Sequence, residues 1–371
     1  MLAALLVVLL LEPPPHATAT LETVMRAHAD RAGAAYAASA ASARELRTKV
    51  NAFCEAPDEA RLAEARTAWA RARRDYGRTE VFRFGEGPID ARRGGVETFV
   101  NAWPVDESYI EGEPGTGTGV VADRARYPVL ARAAIRQLNQ RGGETNVCTG
   151  WHAIEFMLWG RDTSAAGPGA RPAADFVDGA VRDADRRREY LREITELLCE
   201  DLARVADAWQ PGDGSYRSRF LADPTSAARR MLVGPTLLAG FEMSGERLAV
   251  ALETRDQEEE HSCFSDTTDA DFKSNMRGIE SVLRGNGADG LIALVREADA
   301  ARADALAAAL DAASQAVDAI PAPFDAAIRS PDGSPRRIVL ERALAALEAL
   351  ADRLTDASKS LGVALPTEPQ G

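Results

Sequence analysis

From Ala27 to about Phe53 the chain is alanine-rich with few breakers, and the pattern predicts one long helix. Pro57 and Asp58 open a second. There Leu62, Ala65, Trp69, Ala72 and Tyr76 recur at steps of three and four, an apolar stripe along one helical face. Between Arg83 and Arg126 the periodicity fails, punctuated by Gly85, Gly87, Pro88, Gly94, Gly95, Pro104, Pro114, Gly115, Gly117 and Gly119. A connection this long without regular structure tends to be functional. Helical spacing returns at 127–140 and 146–159. After the Ala166-Gly167-Pro168-Gly169 loop comes a long helix through Arg186, Tyr190, Ile194, Leu198 and Leu202 to Trp209.

Pro211 and Gly212 mark the expected boundary. Beyond it, helices are expected at about 224–252, 269–284, 289–318 and 335–360. The last two carry the stripes Leu291, Leu294, Ala298, Leu306, Leu310 and Leu340, Leu344, Leu347, Leu350, Leu354. Long helices joined by short loops pack as antiparallel bundles. The expected fold is therefore all-α: two packed helical bundles, 20–210 and 211–371, with a long irregular insertion in the first.

Composition agrees. Ala, Leu, Arg and Glu dominate, aromatic residues are only 6%, and few segments show the Val/Ile/Thr alternation of strands. With 46% hydrophobic residues over 371, there is enough apolar side chain for a sizeable core. The formal net charge of −13 argues against a nucleic-acid partner.

The N-terminus predicts export. Leu2 to Leu11 is an unbroken apolar run, followed by Pro13-Pro14-Pro15 and Ala17-Thr18-Ala19, the h-region, breaker and Ala-x-Ala cleavage site of a signal peptide over 1–19. The run is too short to span a bilayer. No Lys or Arg precedes it, which reads as a start inside a longer signal, and no Cys near the cleavage site suggests a lipid anchor. In an oxidising compartment Cys54, Cys148, Cys199 and Cys263 read either as structural disulfides or as buried thiols. None forms a Cys-x-x-Cys pair.

The chemistry lies in Cys148-Thr149-Gly150-Trp151-His152-Ala153-Ile154-Glu155-Phe156-Met157-Leu158-Trp159-Gly160. This helix is apolar nearly all round, so it should be buried. His152 and Glu155 are the anomaly: buried ionisable groups pair, shift their pKa or hold a metal. A spacing of three puts them on one face, as in metal sites of helical bundles. A plain hydrogen bond between the two is the competing reading. The His-Glu-x-x-His motif of zinc peptidases is absent, because 153 is Ala and 156 is Phe. Beyond the signal only His28, His152 and His261 remain, a stock better suited to one imidazole among carboxylates, with iron or manganese favoured and zinc harder to place. Glu80 closes a helix in an apolar stretch and is the leading extra ligand, with Asp90 and Asp106 just after it. Glu258-Glu259-Glu260-His261 reads as a solvated face, and Asp266 as a helix N-cap.

These segments together resemble the imelysin family. Gly150-Trp151-His152-Ala153-Ile154-Glu155 matches its Gly-x-His-x-x-Glu signature, and the Phe156-to-Gly160 continuation agrees. Blocks 79–85, 101–107, 167–172 and 186–191 follow in the expected order. Ser244-Gly245-Glu246-Arg247 and Glu259-to-Asp266 resemble the subgroup named after iron-regulated protein A. The resemblance implies an exported protein of two helical bundles with the signature at a cleft between them, associated with iron uptake. By it His152, Glu155 and Glu80 are metal-site residues, with Asn101, Trp103, Asp106 and Arg247 in related blocks. It implies a metal ion, iron favoured and zinc an option, and a membrane iron-transport component as partner. The family also carries a peptidase name; in that alternative Glu155 would be a general base and Arg247 the electrophile. One departure stands out: the subgroup's Asn-Thr-His is here Thr267-Thr268-Asp269, so an expected histidine is missing.

Overall fold

A computed structural model describes residues 19–113, 115–164 and 167–366. The expected signal peptide therefore lies, apart from Ala19, outside the described residues, as do Pro114 and Ala166. Among the described residues the fold is all-α, with one isolated β-bridge between Asp178 and Val181 and no strand. No described helix is long and apolar enough to cross a membrane.

The first half is built on the helix Leu21–Glu55, which packs along Glu59–Gly77 and Ala184–Ala208. Thr20 and Asp58 cap the first two of these, each side chain accepting a backbone N–H of the first turn. Trp69 lies at the centre, donating its indole N–H to the Trp151 carbonyl at 3.0 Å and meeting Trp159 edge-on. In the second half, Ala300–Asp318 and Pro335–Ser360 pack along each other. Thr268–Arg284 lies against both Glu59–Gly77 and Ala300–Asp318, so it ties the two ends of the chain together.

Four expectations change in detail. The segment 83–126 is not wholly irregular: it holds three one-turn helices, Glu97–Val100, Glu107–Glu111 and Gly119–Ala122. The helix expected over 127–140 is confined to Arg132–Leu138. The single helix expected over 289–318 is two, Leu291–Ala298 and Ala300–Asp318. Asp299 is extended between them and caps the second through Arg302 N at 3.1 Å. The helix expected over 224–252 is continuous but changes winding, from α over Pro224–Leu237 to π over Leu238–Ala249 and back to α over Val250–Thr254. The four cysteines are all free and buried, which leaves the buried-thiol reading.

Candidate functional site

The signature helix Gly150–Trp159 is wholly buried. Its first residue explains its own identity. Gly150 has φ +82°, and a Cβ there would lie 2.4 Å from the Val100 carbonyl oxygen, so only glycine lets this helix start against the one-turn helix before it.

His152 and Glu155 do hydrogen-bond to each other, Nδ1 to Oε2 at 2.9 Å. The other carboxylate oxygen of Glu155 accepts from the Ser265 backbone N–H at 2.9 Å and from its hydroxyl at 2.7 Å. Nε2 of His152 is buried without a hydrogen-bond partner. Burial, reinforced by the Arg73 guanidinium, holds the His152 pKa well below its ordinary value, so the imidazole is neutral. Burial also pushes Glu155 up to about 8, against the Ser265 bonds that pull it down.

Facing His152 is a residue the sequence pattern misassigned. His261, expected on a solvated face, is 3% exposed and its ring centroid lies 4.8 Å from that of His152. Its Nδ1 meets Asp271 Oδ2 at 2.9 Å, and Ser262 donates to the same oxygen at 2.7 Å. Arg73 brackets the pair, donating from Nε to Asp271 Oδ1 at 3.1 Å. Glu260 is buried too, whereas Glu258 is exposed as expected. Asp266 does not cap a helix; Thr267 holds that position, and Asp266 has φ +52° with both carboxylate oxygens unpartnered. Where the subgroup's histidine is missing, Thr268 accepts the Ser262 N–H at 3.1 Å and Asp269 pairs with Lys273 at 2.8 Å.

Glu80 is not in contact with the His152–Glu155 pair. It is fully buried on the 3-10 turn Glu80–Phe82, where Arg247 at 2.8 Å and Arg83 at 3.1 Å share its Oε2. Burial opposes its charge, but these arginines outweigh it and hold the carboxyl down to about 2. Asn101 links the two centres: its Nδ2 donates to Glu80 at 3.4 Å, and its Oδ1 accepts from Arg73. Arg247 is likewise saturated, by Glu80, Glu242 and Asn275. Trp103 approaches the site edge-on to His261, 5.9 Å between centroids. Asp106 stands apart, capping Glu107–Glu111 through Ser108 N at 2.9 Å. Asp90 lines a cavity and accepts from Gly87 N at 2.7 Å.

The result is two buried polar groups that meet where the His152 and His261 rings touch edge to face: Glu155–His152 on one side, and His261, Asp271, Arg73, Asn101, Glu80 and Arg247 joined in turn on the other. Residues from both ends of the sequence supply them, and the signature helix begins at a glycine. The Imelysin family model matches residues 32–354. The chain belongs to the imelysin family. Iron-regulated protein A of Synechococcus elongatus is 26% identical over 268 residues, covering 70% of this chain and 62% of that protein's length. A crystal structure from Parabacteroides distasonis, described as an iron-regulated protein A precursor, superposes with a TM-score of 0.72 at 18% identity, over 95% of this chain and 97% of that one. An imelysin-like protein from Psychrobacter arcticum gives a TM-score of 0.64 at 15% identity, over 93% and 97%.

Within the imelysin frame, the residues that the sequence pattern missed are Arg73, Asp271, Ser265 and His261. Arg73 and Asp271 are polar positions on the buried faces of their helices, and His261 and Ser265 lie in the buried turn 260–265. Of the four, only His261 and Ser265 lie in a block with the family resemblance.

Proposed function

We propose that this imelysin-family protein is an exported metal-binding protein of iron acquisition, with His152 as its nitrogen donor and Glu155 as the carboxylate behind it. The observation that carries the reading is the orphaned Nε2 of His152. A buried polar atom without a partner is costly and calls for one. Neutral imidazole is the form that ligates a metal. A carboxylate on the opposite ring nitrogen is the arrangement that orients metal-binding histidines. A cation at Nε2 would favour the form in which Nδ1–H donates to ionised Glu155, opposing the burial that raises its pKa.

The donor set fits an ion in part. Among the described residues no three His, Cys, Asp or Glu side chains converge to hold a metal. Glu80 is committed to its arginines. Glu155, at 0% exposure with both oxygens bonded inside the protein, is poorly placed to act as a base on an extended substrate. Export rests on the N-terminal apolar run and on the precursor description of the Parabacteroides protein.

Chelator-treated protein titrated with ferrous iron, ferric iron and zinc tests the reading. Binding of at least one ion should weaken about tenfold to a hundredfold in His152→Ala and in Glu155→Gln. Equal binding by His152→Ala and wild type would sink the assignment.

A further inference from the structure

The His152–Glu155 pair is sealed from solvent, its side chains 1% and 0% exposed. Part of the seal is the turn 260–266. His261 meets the His152 ring, Phe264 packs on Phe156 with 5.3 Å between centroids, and Ser265 bonds Glu155. The turn thus lies along one face of the signature helix. Its backbone is tied by scattered bonds rather than a helical ladder. Ser262 O accepts from Thr267 N at 3.4 Å, Ser262 N donates to the Thr268 hydroxyl at 3.1 Å, and Phe264 O accepts from Gly169 N at 3.0 Å. Segments held in this way open at lower cost than the helices around them.

The two ends of the turn carry acids that the fold does not satisfy. Glu260 is fully buried, and Asp325, on the helix Phe324–Ile328, is too. Both oxygens of Glu260, of Asp266 and of Asp325 are buried with no hydrogen-bond partner. The groups that face them come from every neighbouring element. Asp162, just after the signature helix, faces Asp266, and the Thr268 hydroxyl lies near Glu260. Arg329 is the cation that faces all three, and it stands 3.7 Å from Asp325 Oδ2 while also donating to the Gln257 side chain. One guanidinium does not neutralise that many carboxylates, so the closed turn needs some of them protonated.

Burial, aided by Asp266 and Asp325, pushes Glu260 up to about 9; burial, aided by Asp325 and Asp162, pushes Asp266 up to about 7. Both acids are raised, so the closed turn is favoured at low pH and loses that advantage as pH rises towards these values. The Glu155 carboxylate acts in the other direction. Its ionised form strengthens the two bonds from Ser265 and so tightens the turn.

We propose that the turn 260–266 is a lid over His152 and Glu155, opened when Glu260 and Asp266 lose their protons. The inference rests on the metal-site reading only in what the lid uncovers, a way in and out for the ion.

Hydrogen exchange of the metal-free protein, followed by mass spectrometry at pH 6, 7.5 and 9 and corrected for the intrinsic rise of exchange with pH, is the test. Peptides spanning 260–266 should lose protection by about tenfold or more between pH 6 and 9, while Leu21–Glu55 and Pro335–Ser360 keep theirs. Glu260→Gln/Asp266→Asn should stay protected at pH 9, since each amide stands in for a protonated acid and cannot take a charge. Each single variant should recover part of the protection. Glu155→Gln should still open at pH 9. No excess loss in the turn, equal loss in the double variant, or loss spread equally over the long helices would overturn the proposal. So would a Glu155→Gln protein that no longer opens, because the trigger would then be Glu155. The readout needs no bound ion, so failure of the metal site and failure of the lid are told apart.

Discussion

At the residue scale, Gly150 shows how a motif position can be structural. Its left-handed backbone and the 2.4 Å approach that a Cβ would make to Val100 O both forbid a side chain. Gly150→Ala should therefore destabilise the protein by about 3 kcal/mol or more in denaturant unfolding, well beyond an ordinary surface change. A loss under about 1 kcal/mol would mean that the 97–100 turn can move aside. The position was legible as part of a signature, but its reason was not, since Val100 reaches it only in the folded chain. His152 and Glu155 were legible for a different reason: charge inside an unbroken apolar run is anomalous wherever the helix packs. His261 was not, because three glutamates precede it and the local pattern looks like a wet surface.

At the element scale, winding decides which residues meet. Glu242 and Arg247 are five apart, and on an α-helix that spacing leaves them about 140° out of line. The π-helix Leu238–Ala249 turns more slowly and brings them together at 3.0 Å. Just before it, Gly234 lets the Glu80–Phe82 turn close in, since a Cβ there would strike Val81 O at 2.0 Å. Glu80 is thus clamped under Arg83 and Arg247 with no exposure, while the Glu242 side chain is 18% exposed. Removing Glu80 leaves two buried guanidiniums short of their shared anion. Glu80→Ala should cost about 3–5 kcal/mol in unfolding experiments, and Glu242→Ala distinctly less. Equal costs would show that the two carboxylates share the arginines evenly. A reading at a constant helical period gives no hint of this clamp.

At the scale of the whole molecule, buried acids make stability depend on pH. Burial, aided by Asp266 and Asp325, pushes Glu260 up to about 9, and burial pushes Glu155 up to about 8. Such groups hold protons in the folded chain at pH values where the unfolded chain has released them. Their contribution is complete below the unfolded carboxylate value and is lost as pH rises towards the folded one. His28, His152 and His261 are shifted downward, so they favour folding as pH rises to about 6.5 and add nothing above it. Metal-free protein should therefore lose stability between pH 7 and 9. Glu260→Gln should flatten that fall by roughly 2 kcal/mol in unfolding free energy. A slope unchanged by the substitution would show that Glu260 is ionised in the fold.

The amino-acid pattern by itself determined that the chain is helical, where most helices run and that His152 and Glu155 are buried together. These properties follow from local periodicity, capping and the cost of burying charge, all of which act within a few residues. Tertiary structure alone decided what surrounds that pair. Arg73 and Asp271 lie 198 positions apart, Glu155 and Ser265 lie 110 apart, and Glu80 and Arg247 lie 167 apart. Contacts over such separations are set by how the helices pack, so no local spacing encodes them. Packing is what left His152 Nε2 open and gave Glu80 to its arginines.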